Sequence, residues 1–176
     1  RFREHLNIEH FTVVYAESAV SLAKQTAMFE GRTWVLMQEY VPGTGYGVEL
    51  LLQHGRIVAA FQHRRLREIP VSGGASSFRE SVRLDPQLFD FAARMMTSLQ
   101  WNGLAMVEFK AGADGVSLME INGRPWGSLP LAVASGVDFP RLLADVYLNE
   151  PLPSLDGARS NYKIGVRSRN LELDLM

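Results

Sequence analysis

Apolar and polar positions change spacing along the chain, and the changes mark its elements. Val20, Leu22, Ala23, Ala27 and Met28 follow Ser18 at helical spacing and precede Gly31, so a capped amphipathic helix of about three turns is expected. Residues 34–41 are β-rich and stop at Pro42-Gly43, which predicts a strand ending in a tight turn. Residues 48–53 and 56–64 are two more β-rich runs, and the His54-Gly55 pair between them has the spacing of a hairpin. Residues 70–81 hold no period and concentrate Gly and Ser, so they are expected to be loop.

Asp85-Pro86 reads as an N-cap with Pro at the first helical position, and Leu88, Phe89, Ala92, Met95, Met96 and Leu99 supply the apolar stripe of a helix of about 15 residues. Residues 104–110 and 116–121 flank Gly112-Ala113-Asp114-Gly115 and form a second hairpin. Residues 129–135 before Gly136, and Asp138-Phe139-Pro140 before Leu142, Leu143, Val146 and Tyr147, read as two short helices, and residues 162–167 as a last strand. No strict βαβ repeat appears and both clear pairs are hairpins. The expected class is therefore α+β, an antiparallel sheet with flanking helices.

At 47% hydrophobic and 21% charged over 176 residues, the chain has the composition of a soluble globular domain. Eighteen Lys and Arg against 19 Asp and Glu give a net charge of −1. That lacks the clustered basic excess that drives phosphate-backbone binding, so nucleic acid is not an expected partner. No apolar run approaches the ~18 residues of a bilayer span, and the N-terminus has no signal-peptide apolar stretch, so no membrane is expected either. The absence of cysteine excludes disulfides, thiolate metal sites and thiol catalysis, and is compatible with the cytoplasm. The opening at Arg1 and the close at Met176 read as an internal piece of a longer polypeptide.

If the second hairpin centres on Asp114, Glu108 faces Glu120, and the period of two sets Asn122 on the same face as Glu120. Like charges across a sheet are unfavourable. A hard cation such as Mg²⁺ would account for the pair, being held by one or two carboxylates, substrate phosphates and water; a solvated face with screened acids is the alternative. Arg124 follows Asn122 by two residues, and its planar fork suits a carboxylate or phosphoryl oxygen, unless it is a surface turn residue. In His63-Arg64-Arg65-Leu66-Arg67-Glu68, alternation sets Arg65 and Arg67 on one face and Arg64 on the other; the run is either a solvated face or a phosphate clamp. The strand end at residues 38–41 offers backbone groups that could read a purine edge. Gly43-Thr44-Gly45-Tyr46-Gly47 opens no helix and lacks dinucleotide spacing, and no Walker sequence occurs. His5, His10, His54 and His63 have no metal-ligand spacing, Ser72, Ser76 and Ser77 lie outside a nucleophile elbow, and Met95-Met96 is core by default.

In order, Gln38-Glu39-Tyr40-Val41-Pro42-Gly43, His63-Arg64-Arg65, Gly73-Gly74, Met106-Val107-Glu108-Phe109 and Met119-Glu120-Ile121-Asn122-Gly123-Arg124 resemble the C-terminal half of an ATP-grasp domain, as in predicted carboligases related to biotin carboxylase and carbamoyl-phosphate synthetase. The resemblance runs over about residues 12–150 and is strongest in the Glu…Glu-x-Asn-x-Arg set. It implies a partial ATP-grasp fold: residues 1–45 as the end of the N-terminal lobe and hinge, 46–150 as the C-terminal lobe, and 151–176 as the start of a following segment. It also implies that Gln38, Glu39, Tyr40 and Val41 line adenine, that Glu108, Glu120 and Asn122 hold Mg²⁺ or Mn²⁺ against the ATP phosphates, and that Arg124 holds the carboxylate or acyl phosphate. Arg64 or Arg67 would approach the phosphates near Gly73-Gly74, and Glu49 or Gly47 would stand nearest the ribose. The implied chemistry is ATP-dependent ligation of a small carboxylate to an amine through an acyl phosphate. The lysine and glycine-rich lid of the family would precede Arg1, so full turnover by this stretch alone is not expected. A catalytically inactive nucleotide-binding or regulatory module is the alternative, and an interaction domain with solvent-facing acids is a further one.

Overall fold

The computed structural model describes residues 14–69, 74–152 and 161–174, and the chain divides into two compact units, Arg1–Tyr40 and Val41–Met176. In the first unit, helix α1 (Ala19–Thr26) begins at a capping box: Ser18 Oγ accepts from the Ser21 amide and Ser21 Oγ accepts from the Ser18 amide, each at 3.2 Å. It continues into a 3₁₀ turn, Ala27–Phe29, which completes the expected three turns. Residues 34–41 do not form the expected strand. Trp34 is 99% exposed and Leu36 83%, and no strand pairs with them among the described residues. A β-rich run is stable where a pleated, half-buried surface receives it, and within its own unit this one meets none.

The second unit carries β1 (Thr44–Gln53), β2 (Arg56–Ile69), β3 (Ala75–Ser81), β4 (Gly103–Gly112), β5 (Gly115–Asn122) and β6 (Arg167–Arg169). They form one sheet in the order β5-β4-β1-β2-β3-β6, each neighbouring pair antiparallel. His54 and Gly55 both take positive φ, 50° and 73°, the requirement of a tight two-residue hairpin turn. Helix α2 (Pro86–Ser98) is capped by Asp85, whose Oδ1 accepts from the Gln87 and Leu88 amides. Its buried stripe of Leu88, Ala92 and Met96 joins Val48, Leu50, Leu52, Ala60, Ala105, Val107 and Phe109 in one core cluster. The other sheet face, through Leu51, Ala59, Phe61, Leu104 and Met106, packs with Trp126 and with helices α3 (Leu129–Ser135) and α4 (Phe139–Leu148). The central strands are thus covered on both faces, which is why β1 and β4 read as near-continuous apolar runs. A four-residue helix, α5 (Leu171–Asp174), follows β6. Among the described residues no helix is long and apolar enough to cross a membrane.

Two expectations are corrected here. Residues 75–81 are strand β3, not loop; residues 70–73 lie outside the described residues. Hydrophobic periodicity misses β3 because its buried positions are Ser77, Arg79, Glu80 and Ser81, which are held by polar partners. Glu80 sits between Arg64 at 2.7 Å and Arg167 at 2.9 Å, and hydrogen bonds from Arg167 and Arg64 hold its carboxyl below the usual range. The last strand begins at Arg167 rather than residue 162. The backbone ahead of it is engaged elsewhere: the Lys163 amide donates to the Ser135 carbonyl, and the Gly165 amide to that of Ser81. Tyr162 is buried against Phe61 and donates to the Val82 carbonyl at 2.6 Å; burial pushes its phenol up to about 12.

Candidate functional site

The sheet registers align two rows of residues across four strands. One row runs His63, Gly47, Glu108, Glu120, and the next runs Phe61, Glu49, Met106, Asn122. Side chains two apart on a strand share a face, so this is the face that packs with α3 and α4, at the point where its apolar positions give way to polar ones. The pairing of Glu108 with Glu120 is as expected, but a register irregularity produces it. The turn pairs Gly112 with Gly115 and Phe109 with Leu118, and the shift between Glu108 and Phe109 leaves Met119 unpaired.

Glu108 is 7% exposed and Glu120 is on the surface. The Asn122 amide nitrogen donates to Glu120 Oε1 at 2.7 Å and to Glu108 Oε1 at 3.3 Å. Burial raises the Glu108 carboxyl above its ordinary range; the Arg65 charge opposes this and the Glu120 charge adds to it. Arg65 spans from β2 to β4, pairing Nη2 with Glu108 Oε2 and Nη1 with Glu68 Oε1 at 3.0 Å, with the Gly74 carbonyl at 3.3 Å from Nη1. Two carboxylates and an amide therefore converge with one guanidinium. Among the described residues no three His, Cys, Asp or Glu side chains gather into a closed metal cage. The open set that remains suits Mg²⁺, which keeps water and phosphate oxygens in its coordination.

Arg65 and His63 reach across β1 because two of its residues have no side chain. A Cβ on Gly47 would lie 2.4 Å from His63 Cε1, and one on Gly45 2.8 Å from Arg65 Cδ. Gly45 and Gly47 of Gly43-Thr44-Gly45-Tyr46-Gly47 are clearance for these two side chains. Gly47→Ala is expected to cost about 1–3 kcal/mol, the scale of forcing extra volume into a packed site, as read by urea unfolding.

Glu49, which the resemblance sets nearest the ribose, is fully buried. Its Oε1 lies 2.9 Å from His63 Nδ1 and accepts from Ser128 Oγ at 2.8 Å. Ser128 stands at the N-cap of α3 yet makes no side-chain cap bond, its hydroxyl being committed to Glu49. Arg64 pairs with Glu80, which sets it opposite to Arg65 as alternation expects, away from the acid pair. Arg67 is exposed and aligned with Phe78 between two register shifts, the first of which separates it from Arg65, so the alternation that would have joined them is interrupted. Arg124 is exposed and donates to the Pro125 carbonyl at 3.1 Å. Gln38, Glu39 and Tyr40 are exposed, with Tyr40 edge-on to Tyr15 at 5.4 Å, and Val41 is half-buried. Gly73 lies outside the described residues. Arg65 is the residue the sequence reading missed at the acid pair; the signal for it was the matched spacing of Gly45-x-Gly47 and His63-x-Arg65.

Residues 30–170 match the family described as ATP-grasp in the biosynthetic pathway with Ter operon. Among solved structures, the biotin carboxylase–beta-gamma-ATP complex from Campylobacter jejuni is similar at TM-score 0.58 and 17% identity, over 74% of this chain and 30% of that one. The biotin carboxylase domain of a thermophilic 2-oxoglutarate carboxylase bound to bicarbonate follows at 0.56 and 13%, over 73% and 30%. That domain from Hydrogenobacter thermophilus, in complex with MgADP, ADP and bicarbonate, gives 0.52 and 13%, over 70% and 28%. At these identities the likeness establishes the fold, and the chain spans less than a third of the length of each of these three. No curated protein sequence matches the chain.

Proposed function

The chain belongs to the ATP-grasp family, and on that premise we propose that it supplies the metal and phosphate side of an ATP-dependent ligase joining a small carboxylate to an amine. The observation that carries this reading is the alignment of Glu108 with Glu120, both bonded by Asn122. In it, Glu108, Glu120 and Asn122 hold Mg²⁺ or Mn²⁺, with the Asn122 amide turned to present its oxygen. The bound cation supplies neutralisation of the charge on the transferring phosphoryl group. Gln38, Glu39, Tyr40 and Val41 line the adenine, and Arg124 orients the substrate carboxylate, whose planar group its fork matches. That carboxylate takes the γ-phosphoryl group, releasing ADP; the amine then displaces phosphate from the acyl phosphate and leaves an amide. Positioning and charge neutralisation suffice for such transfer, so no covalent nucleophile is required of the chain. Residues 46–150 form the catalytic lobe in this reading, and the reaction runs in the cytoplasm.

The experiment is to supply the protein with ATP, Mg²⁺ and a panel of small carboxylates in hydroxylamine, which intercepts an acyl phosphate as a hydroxamate. Carboxylate-dependent hydroxamate formation is expected. Tight Mg²⁺-nucleotide binding with no hydroxamate or ADP for any carboxylate would favour the inactive nucleotide-binding module.

The raised carboxyl of Glu108 gives a pH dependence of known sign. Protons compete with the cation at a higher pH than they would at an exposed glutamate, so Mg²⁺-nucleotide affinity is expected to fall with acidification through that raised value. Stability runs the other way. Between the ordinary and the raised value the folded chain keeps a proton the unfolded chain has lost, so Glu108 costs stability as pH rises through this window. Calorimetric titration across pH 4–8 reads the first effect, and urea unfolding of wild type against Glu108→Gln the second.

A further inference from the structure

The Arg65 guanidinium lies where a cation bound to Glu108 would feel it. Its Nη2 pairs with Glu108 Oε2, its Nη1 reaches Glu68 Oε1 and the Gly74 carbonyl, and its Nε is buried without a hydrogen-bond partner. Its side chain is 18% exposed. Glu108 is therefore neutralised by the protein's own charge, while the second acid of the pair, Glu120, is held by Asn122. A divalent cation and a guanidinium repel one another strongly at contact distance inside a half-buried site. The two therefore compete for the same carboxylate. Glu68 offers Arg65 a second anchor on its own strand, three residues on, so the Glu108 contact can be given up without leaving the arginine unpaired. The glycine clearance at Gly45 lets the side chain swing over β1 in either state, since a Cβ there would lie 2.8 Å from Arg65 Cδ and 3.0 Å from Glu68 Oε1.

We propose that Arg65 is the resident counter-ion of the metal site: it occupies Glu108 while no divalent cation is present, and passes to the nucleotide phosphates when the cation takes Glu108. This rests on the metal and nucleotide reading above. It makes Arg65 a positioning residue with a consequence for order of binding. Metal alone is disfavoured, because it must take Glu108 from the arginine, which then keeps Glu68 alone and gains no new anion. Metal with nucleotide is favoured, because the phosphates accept the released fork, which suits phosphate oxygens bidentately. The site is thereby biased towards the metal–nucleotide pair over the free ion.

The test titrates Mn²⁺ alone, by electron paramagnetic resonance of the free ion, and then Mn²⁺ with a non-hydrolysable ATP analogue, into wild type, Arg65→Gln and Arg65→Lys. Arg65→Gln is expected to bind Mn²⁺ alone about tenfold tighter, the scale on which one neighbouring charge shifts a carboxylate's affinity for a proton. Arg65→Lys, which keeps the charge, is expected to stay near wild type for the bare ion. Both variants should bind the Mn²⁺-nucleotide pair more weakly, having lost the fork. A purely structural arginine would leave bare-ion affinity unchanged or lower in Arg65→Gln, and that result overturns the proposal. Should Arg65→Gln fail to fold, Gly45→Ala displaces the guanidinium while conserving every charge; tighter bare-ion binding is again expected and an unchanged or weaker value overturns it. If wild type binds the Mn²⁺-nucleotide pair with no dependence on Glu120, the metal reading itself is wrong. If that dependence holds and bare-ion affinity ignores Arg65, only the counter-ion inference is lost.

Discussion

Glu120→Gln is expected to remove Mg²⁺-dependent nucleotide binding and leave the fold untouched. Glu120 is exposed and its described partner is the Asn122 amide, so the change breaks no buried pair, and a surface substitution of this kind stays within about 0.5 kcal/mol. What it removes is one of two formal charges available to a cation at the pair. Metal sites lose about 10–100-fold in affinity when a residue that merely orients a ligand is changed, and a direct carboxylate ligand should cost at least the upper end of that range. Isothermal titration of a non-hydrolysable ATP analogue at fixed Mg²⁺ reads the loss, and an unchanged melting temperature confirms that it is local. An unaltered affinity would return the acid pair to a solvated surface feature.

The second large effect concerns the buried pair behind the site. Glu49→Ala is expected to destabilise the protein by about 2–4 kcal/mol, since it leaves two buried polar groups, His63 and Ser128, without their carboxylate neighbour at about 1–3 kcal/mol each. That is a large share of the roughly 5–15 kcal/mol by which domains are stable. The change would strand His63, 2% exposed, and free the Ser128 hydroxyl inside the fold. It would also take a carboxylate whose charge favours the buried Arg79 guanidinium, which desolvation already weakens. Glu49→Gln retains an acceptor for Ser128 and should cost only about 1–2 kcal/mol, in line with one altered hydrogen bond. Urea unfolding of both variants checks the contrast; equal, small losses would mean that Glu49 packs rather than pairs.

The hairpins and α2 were legible in the sequence because each combines a local period with a local stop signal: His54-Gly55, Gly112 to Gly115, and Asp85-Pro86. β3 was not, since its buried positions are serine, arginine and glutamate, of which Glu80 is held by Arg64 of β2 and Arg167 of β6 and Ser81 by the segment leading into β6. The strand expected at residues 34–41 had the right composition, but pairing is a property of neighbours and its unit provides none. At the site, Glu108, Glu120 and Asn122 could be grouped from spacing alone, though the turn by itself would set Glu108 against Met119 and only the bulge restores Glu120. The burial of Glu49 was not legible, because nothing local distinguishes a strand glutamate in water from one enclosed by His63 and Ser128. Arg65 was passed over for a related reason: its reach depends on Gly45 of a neighbouring strand, a relation that exists only once β1 and β2 are in register.

The most direct measurement is anomalous diffraction from crystals of the protein grown with Mn²⁺ and a non-hydrolysable ATP analogue. A manganese peak within coordination distance of Glu108, Glu120 and Asn122, with the analogue's phosphates on its far side and Arg65 withdrawn from Glu108, is the expected result. Ordered nucleotide with manganese elsewhere, or with no manganese between the phosphates and the acid pair, would contradict it.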